Sequence, residues 1–332
     1  MISFEKVIIA LVSLLLLAVP GYILAKIKLF GEGASNALSV LVLYGGQPAL
    51  MIVSFQGANF SAELGLNMLY VFLLAVAVHA VMFGILFLVF RKRRNQSRVR
   101  IIKYASVFSN CGFMGIPFLQ MLFTGTDVSG DILIYSAIII GVFNIFNWTV
   151  GVYIMTGDIK EVSFKKIALN PVIISVVVAF LLFIVFKMPI KDLMPQGETM
   201  DNILEGFMNV IDKISEIVTP LSMTVIGIKL ANINMKQLFL DKGAYVTAAF
   251  KLILMPTIAM FITAFLPVSP LVKYSVFFLL AMPCATSSTL LAVRFGADAD
   301  FASICVLLST ILSAVTIPLL FLFMNGVLGV AI

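Results

Sequence analysis

Apolar segments of about twenty residues follow one another almost without pause along this chain, and they decide what it can fold into. A helix needs about 20 such residues to cross a hydrocarbon layer roughly 30 Å thick. Lipid offers no hydrogen bonds, so a spanning segment must satisfy its own backbone, and a helix does so. Ten spans are predicted, at about 7–27, 35–56, 66–90, 101–123, 132–156, 167–186, 208–228, 244–266, 271–292 and 301–324. The seventh begins polar, with Asp212, Lys213 and Glu216. The composition agrees: 11% of residues are charged and the mean hydropathy is +1.13. A soluble domain carries about 25% charged residues. The fold class is all-α integral membrane.

The first run does not read as a cleaved signal, because Met1 to Lys6 holds one acid and one base and no small-x-small site follows. It is expected to remain as a helix. Cys111, Cys284 and Cys305 lie inside apolar runs and fit no metal spacing. No metal or other cofactor is expected.

Basic residues set the orientation. With ten spans, loops 1–2, 3–4, 5–6, 7–8 and 9–10 share one side and hold 16 of the 22 Lys and Arg residues, against five on the other. The basic side is expected to be cytoplasmic, with both termini outside a plasma membrane. The run Arg91 to Arg100 is then a loop beside anionic lipid. The net charge of +6 follows the membrane and does not indicate a nucleic-acid partner.

The two halves echo each other. Pro48-Ala49-Leu50-Met51 matches Pro220-Leu221-Ser222-Met223 at an offset of 172. Lys103-Tyr104 opens span 4 and Lys273-Tyr274 opens span 9, an offset of 170. Five spans per copy is an odd number, so the second copy enters from the opposite face. Residues 1–156 and 157–332 are therefore expected to form inverted five-helix repeats, a plan common among secondary transporters.

In such folds the substrate site lies where matching helices are broken. Span 4 carries Gly112, Gly115 and Pro117 at its centre. Span 9 carries Pro283 followed by Ala285, Thr286, Ser287, Ser288 and Thr289. Kinked but continuous helices would carry the same residues. If the helices break, half-helix N-termini expose donors and about half a positive charge, which is an anion site. Asn110 adds an amide beside it. The site candidates are Asn110, Cys111, Gly112, Pro117, Pro283, Cys284, Ser287 and Ser288. Gln47 and Pro48 of span 2, with Pro220 and Ser222 of span 7, are placed opposite.

Ionisable groups inside a membrane are costly and point to function. His79 lies mid-span, Lys251 lies within span 8, and Glu216 sits one turn from Asp212. These three are the candidates for ion coupling. The competing readings are a packed histidine, a lysine that snorkels to the interface, and a solvated outer vestibule. The centres of spans 3, 4, 5, 8, 9 and 10 hold no Asp or Glu, which favours potential-driven uniport of an anion over proton-coupled symport or antiport. An anion channel is the remaining transport reading. An enzyme is not expected: there is one histidine, no HExxH and no glycine-rich phosphate loop.

Asn110-Cys111-Gly112-Phe113-Met114-Gly115-Ile116-Pro117 resembles the N-x-G-F-x-G-[IL]-P signature of the auxin efflux carrier family. Met282-Pro283, Gly296-Ala297-Asp298, Ala302-Ser303 and Leu307-Leu308-Ser309-Thr310 are similar to its ninth and tenth helices, and Pro220-Leu221-Ser222 with Gly227 to its seventh. The resemblance covers essentially the whole chain. It implies crossed helices 4 and 9, a scaffold of helices 1, 2, 6 and 7, and an elevator-like transport domain of helices 3–5 and 8–10. It also implies a small organic anion such as malonate, malate or an auxin as substrate, and a homodimer. The short loop between spans 5 and 6 resembles bacterial members.

The topology has a direct check. A cysteine replacing Asn95 should react with a membrane-impermeant maleimide only after the cells are opened, and one replacing Ser61 in intact cells. Labelling in the reverse order would invert the orientation.

Overall fold

The computed structural model describes residues 2–31, 33–93, 96–188 and 198–328. Among them the secondary structure is helical, apart from one isolated β-bridge. The main helices are α1 (Phe4–Lys26), α2 (Ala34–Ser54), α3 (Ala62–Val89), α4 (Ser97–Val107), α5 (Cys111–Phe123), α6 (Ser129–Thr156), α7 (Pro171–Phe186), α8 (Ile203–Asn232), α9 (Lys242–Ala264), α10 (Pro270–Ala281), α11 (Ser287–Arg294) and α12 (Ala299–Leu328). Seven of these are long and apolar enough to cross a membrane, and α7 with the bent helical stretch before it makes an eighth candidate.

Ten spans are not recovered by helix length, for a local reason. The segments read as spans 4 and 9 are each two short helices, α4 with α5 and α10 with α11. Span 7 extends further toward its N-terminus than its polar start suggested, because Asp212, Lys213 and Glu216 lie on a helix that runs back beyond them.

Side-chain caps set several helix starts. Ser61 accepts from the Leu64 N–H at 3.0 Å, Asn170 from Val172 at 2.9 Å and Asp241 from Gly243 at 2.8 Å. Each satisfies a backbone donor that has no partner within its helix. Three prolines inside helices follow a second rule. A wider π-helical turn at Val42–Gly46 precedes Pro48, one at Cys111–Gly115 precedes Pro117, and one at Phe250–Leu254 precedes Pro256. Proline lacks an N–H and clashes with the carbonyl four residues back, and a wider turn relieves both.

Close approaches between helices use glycine. A Cβ at Gly227 of α8 would overlap the Ala18 carbonyl oxygen and lie 2.7 Å from the Tyr22 nitrogen of α1. A Cβ at Gly21 would lie 2.8 Å from the Thr224 Cα. The backbones of α1 and α8 therefore touch, as small-residue pairs permit between membrane helices. Gly57 and Gly130 make a similar contact between the segment after α2 and the start of α6, where a Cβ on Gly57 would lie 2.8 Å from the Gly130 Cα.

Gly227→Val should lower the midpoint of thermal unfolding in detergent, because overpacking costs about 1–3 kcal/mol and backbone cannot yield. Gly84→Ala is the control, since nothing lies within 4 Å of a Cβ there. Equal midpoints for the two variants would remove the close-contact account.

Candidate functional site

The two helix breaks are built against each other. Helix α4 stops at Val107, and Phe108 is extended. Helix α10 stops at Ala281, and Met282 is extended. Ser109 and Cys284 then form an antiparallel bridge. The Asn110 N–H donates to the Pro283 carbonyl at 2.8 Å, and the Ala285 N–H donates to the Phe108 carbonyl at 2.8 Å. The Cys284 N–H donates to Ser309 Oγ of α12 at 3.0 Å. Non-helical backbone is tolerated at membrane depth only where such partners exist. Pro283 suits its position: it has no N–H to orphan, and its carbonyl is used.

This pairing divides charge. The N-terminal residues of α5 (Gly112, Phe113) and those leading into α11 (Ala285, Thr286, Ser287) line one cavity of about 190 Å³. Both positive half-helix ends thus face the same space. The C-terminal end of α10 meets a cation instead. The Lys251 ammonium donates to the Leu280 carbonyl at 3.0 Å and to the Ser109 hydroxyl, with Met255 Sδ at 3.0 Å. Lys251 is fully buried, so it does not snorkel to the interface.

The cavity is lined by apolar side chains interspersed with polar groups, none of them an acid. Asn110 is buried, and its Nδ2 has no hydrogen-bond partner. The Gln47 amide from α2 fills the space a side chain at Gly112 would need, so a larger residue there would displace that amide. The Tyr104 hydroxyl donates to Asn147 Oδ1 and lies 2.9 Å from Ser287 Oγ. This ties α4, α6 and α11 together at the cavity wall. Asn144, one turn before Asn147, bonds the Ile140 carbonyl at 2.9 Å. At the mouth the Arg294 guanidinium lies 5.7 Å from the Trp148 ring centre. An adjoining cleft carries Lys165, Lys166 and Arg294. A ligand entering this way passes three cations.

Of the residues singled out from sequence, Asn110, Gly112, Gln47 and Ser287 line the cavity. Cys111, Pro283 and Cys284 are buried behind it in the break. Pro117 and Ser288 are buried without lining it, and Pro48 is half-buried. Pro220 is exposed, while the Ser222 hydroxyl donates to the Val218 carbonyl within its own helix. Glu216 lies outside the cavity, with its carboxylate 2.7 Å from Lys213 and its side chain 62% exposed. His79 is buried; its Nδ1 is 2.7 Å from the Ala75 carbonyl and its ring stacks on Phe146 at 5.4 Å. The Nε2 of His79 has no partner. His79 precedes Lys251 by 172 residues, the same offset that relates Pro48 to Pro220.

Sequence reasoning passed over Tyr104, Asn144, Asn147, Trp148 and Arg294. Two of these were detectable: Asn144 and Asn147 are amides three apart in an apolar span, hence on one helix face. Arg294 read only as one more cytoplasmic charge.

Comparisons with known proteins bear on the whole chain. The profile of the family described as "Membrane transport protein" matches residues 6–164 and 155–321. An uncharacterized transporter of Methanothermobacter thermautotrophicus is 25% identical over 310 residues, which covers 92% of this chain and 95% of that protein. With the signature at Asn110–Pro117 forming the first helix break, the chain belongs to the membrane transport protein family, the auxin efflux carrier family.

Proposed function

We propose that this protein is a secondary transporter that moves a small organic anion, a carboxylate, through the cavity at the helix breaks by elevator-like alternating access. The observation that carries this reading is the Asn110 amide. It is buried and unpartnered in an acid-free cavity onto which two half-helix N-termini converge. A carboxylate supplies the acceptor that this donor lacks. Lys251 stands behind the bridge and Arg294 at the mouth, so positive potential extends along the path.

The ten-span, inverted-repeat reading accommodates these features. Each broken segment counts as one span, and the bent stretch ending in α7 as another. The offset of 172 carries His79 to Lys251, Gly57 to Lys229 and Gly130 to Ala302. Gly57 and Gly130 touch through their backbones, whereas Lys229 and the start of α12 are separated by an open cleft. One end closed and its counterpart open is the asymmetry that alternating access requires. In this reading α1, α2, α7 and α8 form the scaffold and the other helices carry the substrate. Both termini lie outside a plasma membrane, and the mouth at Arg294 opens to the cytoplasm. A homodimer is part of the same proposal.

Potential-driven uniport is favoured because no carboxylate lines the cavity or pairs with Lys251 among the described residues. An inside-negative potential then drives efflux of an anion. Proton coupling has one observation in its favour, the unpartnered Nε2 of His79.

In liposomes holding the purified protein, uptake of labelled malonate or malate should saturate, show counterflow and follow an imposed potential. A strict need for a pH gradient, without response to potential, would eliminate uniport. Single-channel currents would eliminate a carrier. Asn110→Ala should weaken carboxylate binding about tenfold to a hundredfold, from the roughly 1.5–3 kcal/mol of a hydrogen bond to a charged group; a thermal-shift titration reads this. Arg294→Gln should mainly raise KM and reduce the salt dependence of uptake, because a charge at the mouth steers the ligand. An unchanged KM would remove Arg294 from the path.

A further inference from the structure

A second polar cleft, of about 420 Å³, lies apart from the Asn110 cavity and shares no lining residue with it. It is framed by Ser35 in the first turn of α2, by Lys229 and Asn232 near the end of α8, by Asn234 and Gln237 of the following segment, and by Asp300 and Ser303 in the first turn of α12. Four parts of the chain therefore contribute polar groups to one space. The cleft lies near the end of the bundle where Arg98 binds Asp241 at 2.8 Å and Asp298 at 3.3 Å.

Lys229 is the feature that needs an explanation. Its ammonium is shielded from solvent and has no hydrogen-bond partner. Asp300 lines the same cleft, yet no carboxylate lies within 4 Å of that ammonium among the described residues. A buried amine is costly to hold charged unless an anion pairs with it. The buried Lys251 amine has a carbonyl and a hydroxyl as acceptors; Lys229 has neither. Ser35, Asn232, Gln237 and Ser303 each bring a donor to the cleft. Asn234 Oδ1 is occupied by the Lys236 and Gln237 N–H groups at 3.0 and 3.3 Å, which leaves its NH₂ to donate outward. Two helix N-termini, those of α2 and α12, open at the rim and add positive potential there. Asp300 is exposed at the start of α12, where the helix dipole offsets its charge.

We propose that this cleft is a second anion site that binds a phosphate group carrying an organic substituent, with Lys229 as its central contact. Donors arriving from several directions suit the oxygens of a phosphate better than the flat pair of a carboxylate. The volume is more than twice that of the Asn110 cavity and leaves room for the group attached to the phosphate. A soluble phosphate monoester and an anionic phospholipid headgroup present this same chemistry. The inference does not depend on what the Asn110 cavity carries.

The test uses the full chain in detergent and in nanodiscs. Glycerol 3-phosphate represents the soluble source, and phosphatidylglycerol against phosphatidylcholine represents the lipid source. Saturable thermal stabilisation by glycerol 3-phosphate, at constant ionic strength, would assign the site to a soluble monoester. Retention of phosphatidylglycerol through purification, seen by native mass spectrometry, would assign it to lipid. In either arm Lys229→Met should weaken binding at least tenfold, Lys229→Arg should retain most of it, and Asn110→Ala should leave it unchanged. Lys229→Met should also raise the unfolding midpoint of the empty protein, since it removes an unpaired buried charge. If Lys229→Met does not fold, Asn232→Ala and Gln237→Ala, which alter the same lining, should each weaken binding in either arm. Binding that survives Lys229→Met, binding lost in Asn110→Ala, or no binding in both arms overturns the proposal.

Discussion

Two backbone hydrogen bonds hold the centre of this molecule: Asn110 N–H to Pro283 and Ala285 N–H to Phe108, both at 2.8 Å. An interrupted helix inside a bilayer leaves amides and carbonyls that water cannot reach. Here each interrupted helix supplies the partner groups for the other. The bridge at Ser109 and Cys284 turns two costly defects into one satisfied junction. The placement of the cavity, the direction of the half-helix ends and the burial of Lys251 all follow from it.

The junction also sorts charge without using an acid. Positive helix ends face the cavity, where Asn110 has a donor to spare. The negative end of α10 is covered by the Lys251 ammonium through the Leu280 carbonyl. Placing a lysine at the middle of a membrane helix costs about 2.5–3.5 kcal/mol on insertion scales. Part of that cost is recovered by the contacts with Leu280, Ser109 and Met255. The result is a buried amine held next to an anion-attracting space. His79, 172 residues earlier, is packed between aromatic rings and bonded to its own helix. The two buried bases thus sit in different surroundings.

Much of this was legible in the residues. The apolar runs gave the helical membrane class, and glycine with proline at Gly112, Gly115, Pro117 and Pro283 located both breaks. What the sequence could not supply was the pairing. Nothing in Ser109 or Cys284 announces a β-bridge, because the bridge uses backbone and each partner is ordinary alone. Arg294 reaches the cavity from α11 and Trp148 from α6, so their spacing along the chain carried no signal. Lys251 was noticed for its cost, but the Leu280 carbonyl and the Ser109 hydroxyl that accept from it lie on distant stretches of chain. Glu216 was noticed for its charge, and a neighbouring Lys213 on its own helix accounts for it.

The bridge imposes an order on how the chain is made. Its two halves are 173 residues apart, between Asn110 and Pro283. Ribosomes add about 5–20 residues per second. The first strand therefore enters the membrane roughly 9–35 s before its partner exists. Throughout that interval the Phe108 carbonyl and the Asn110 amide must be sheltered by something other than their final partners. A nascent chain released early, or cut between the two breaks, would keep polar backbone exposed to lipid. Quality control that senses such groups would read the first half of this protein as unfinished until the second break arrives.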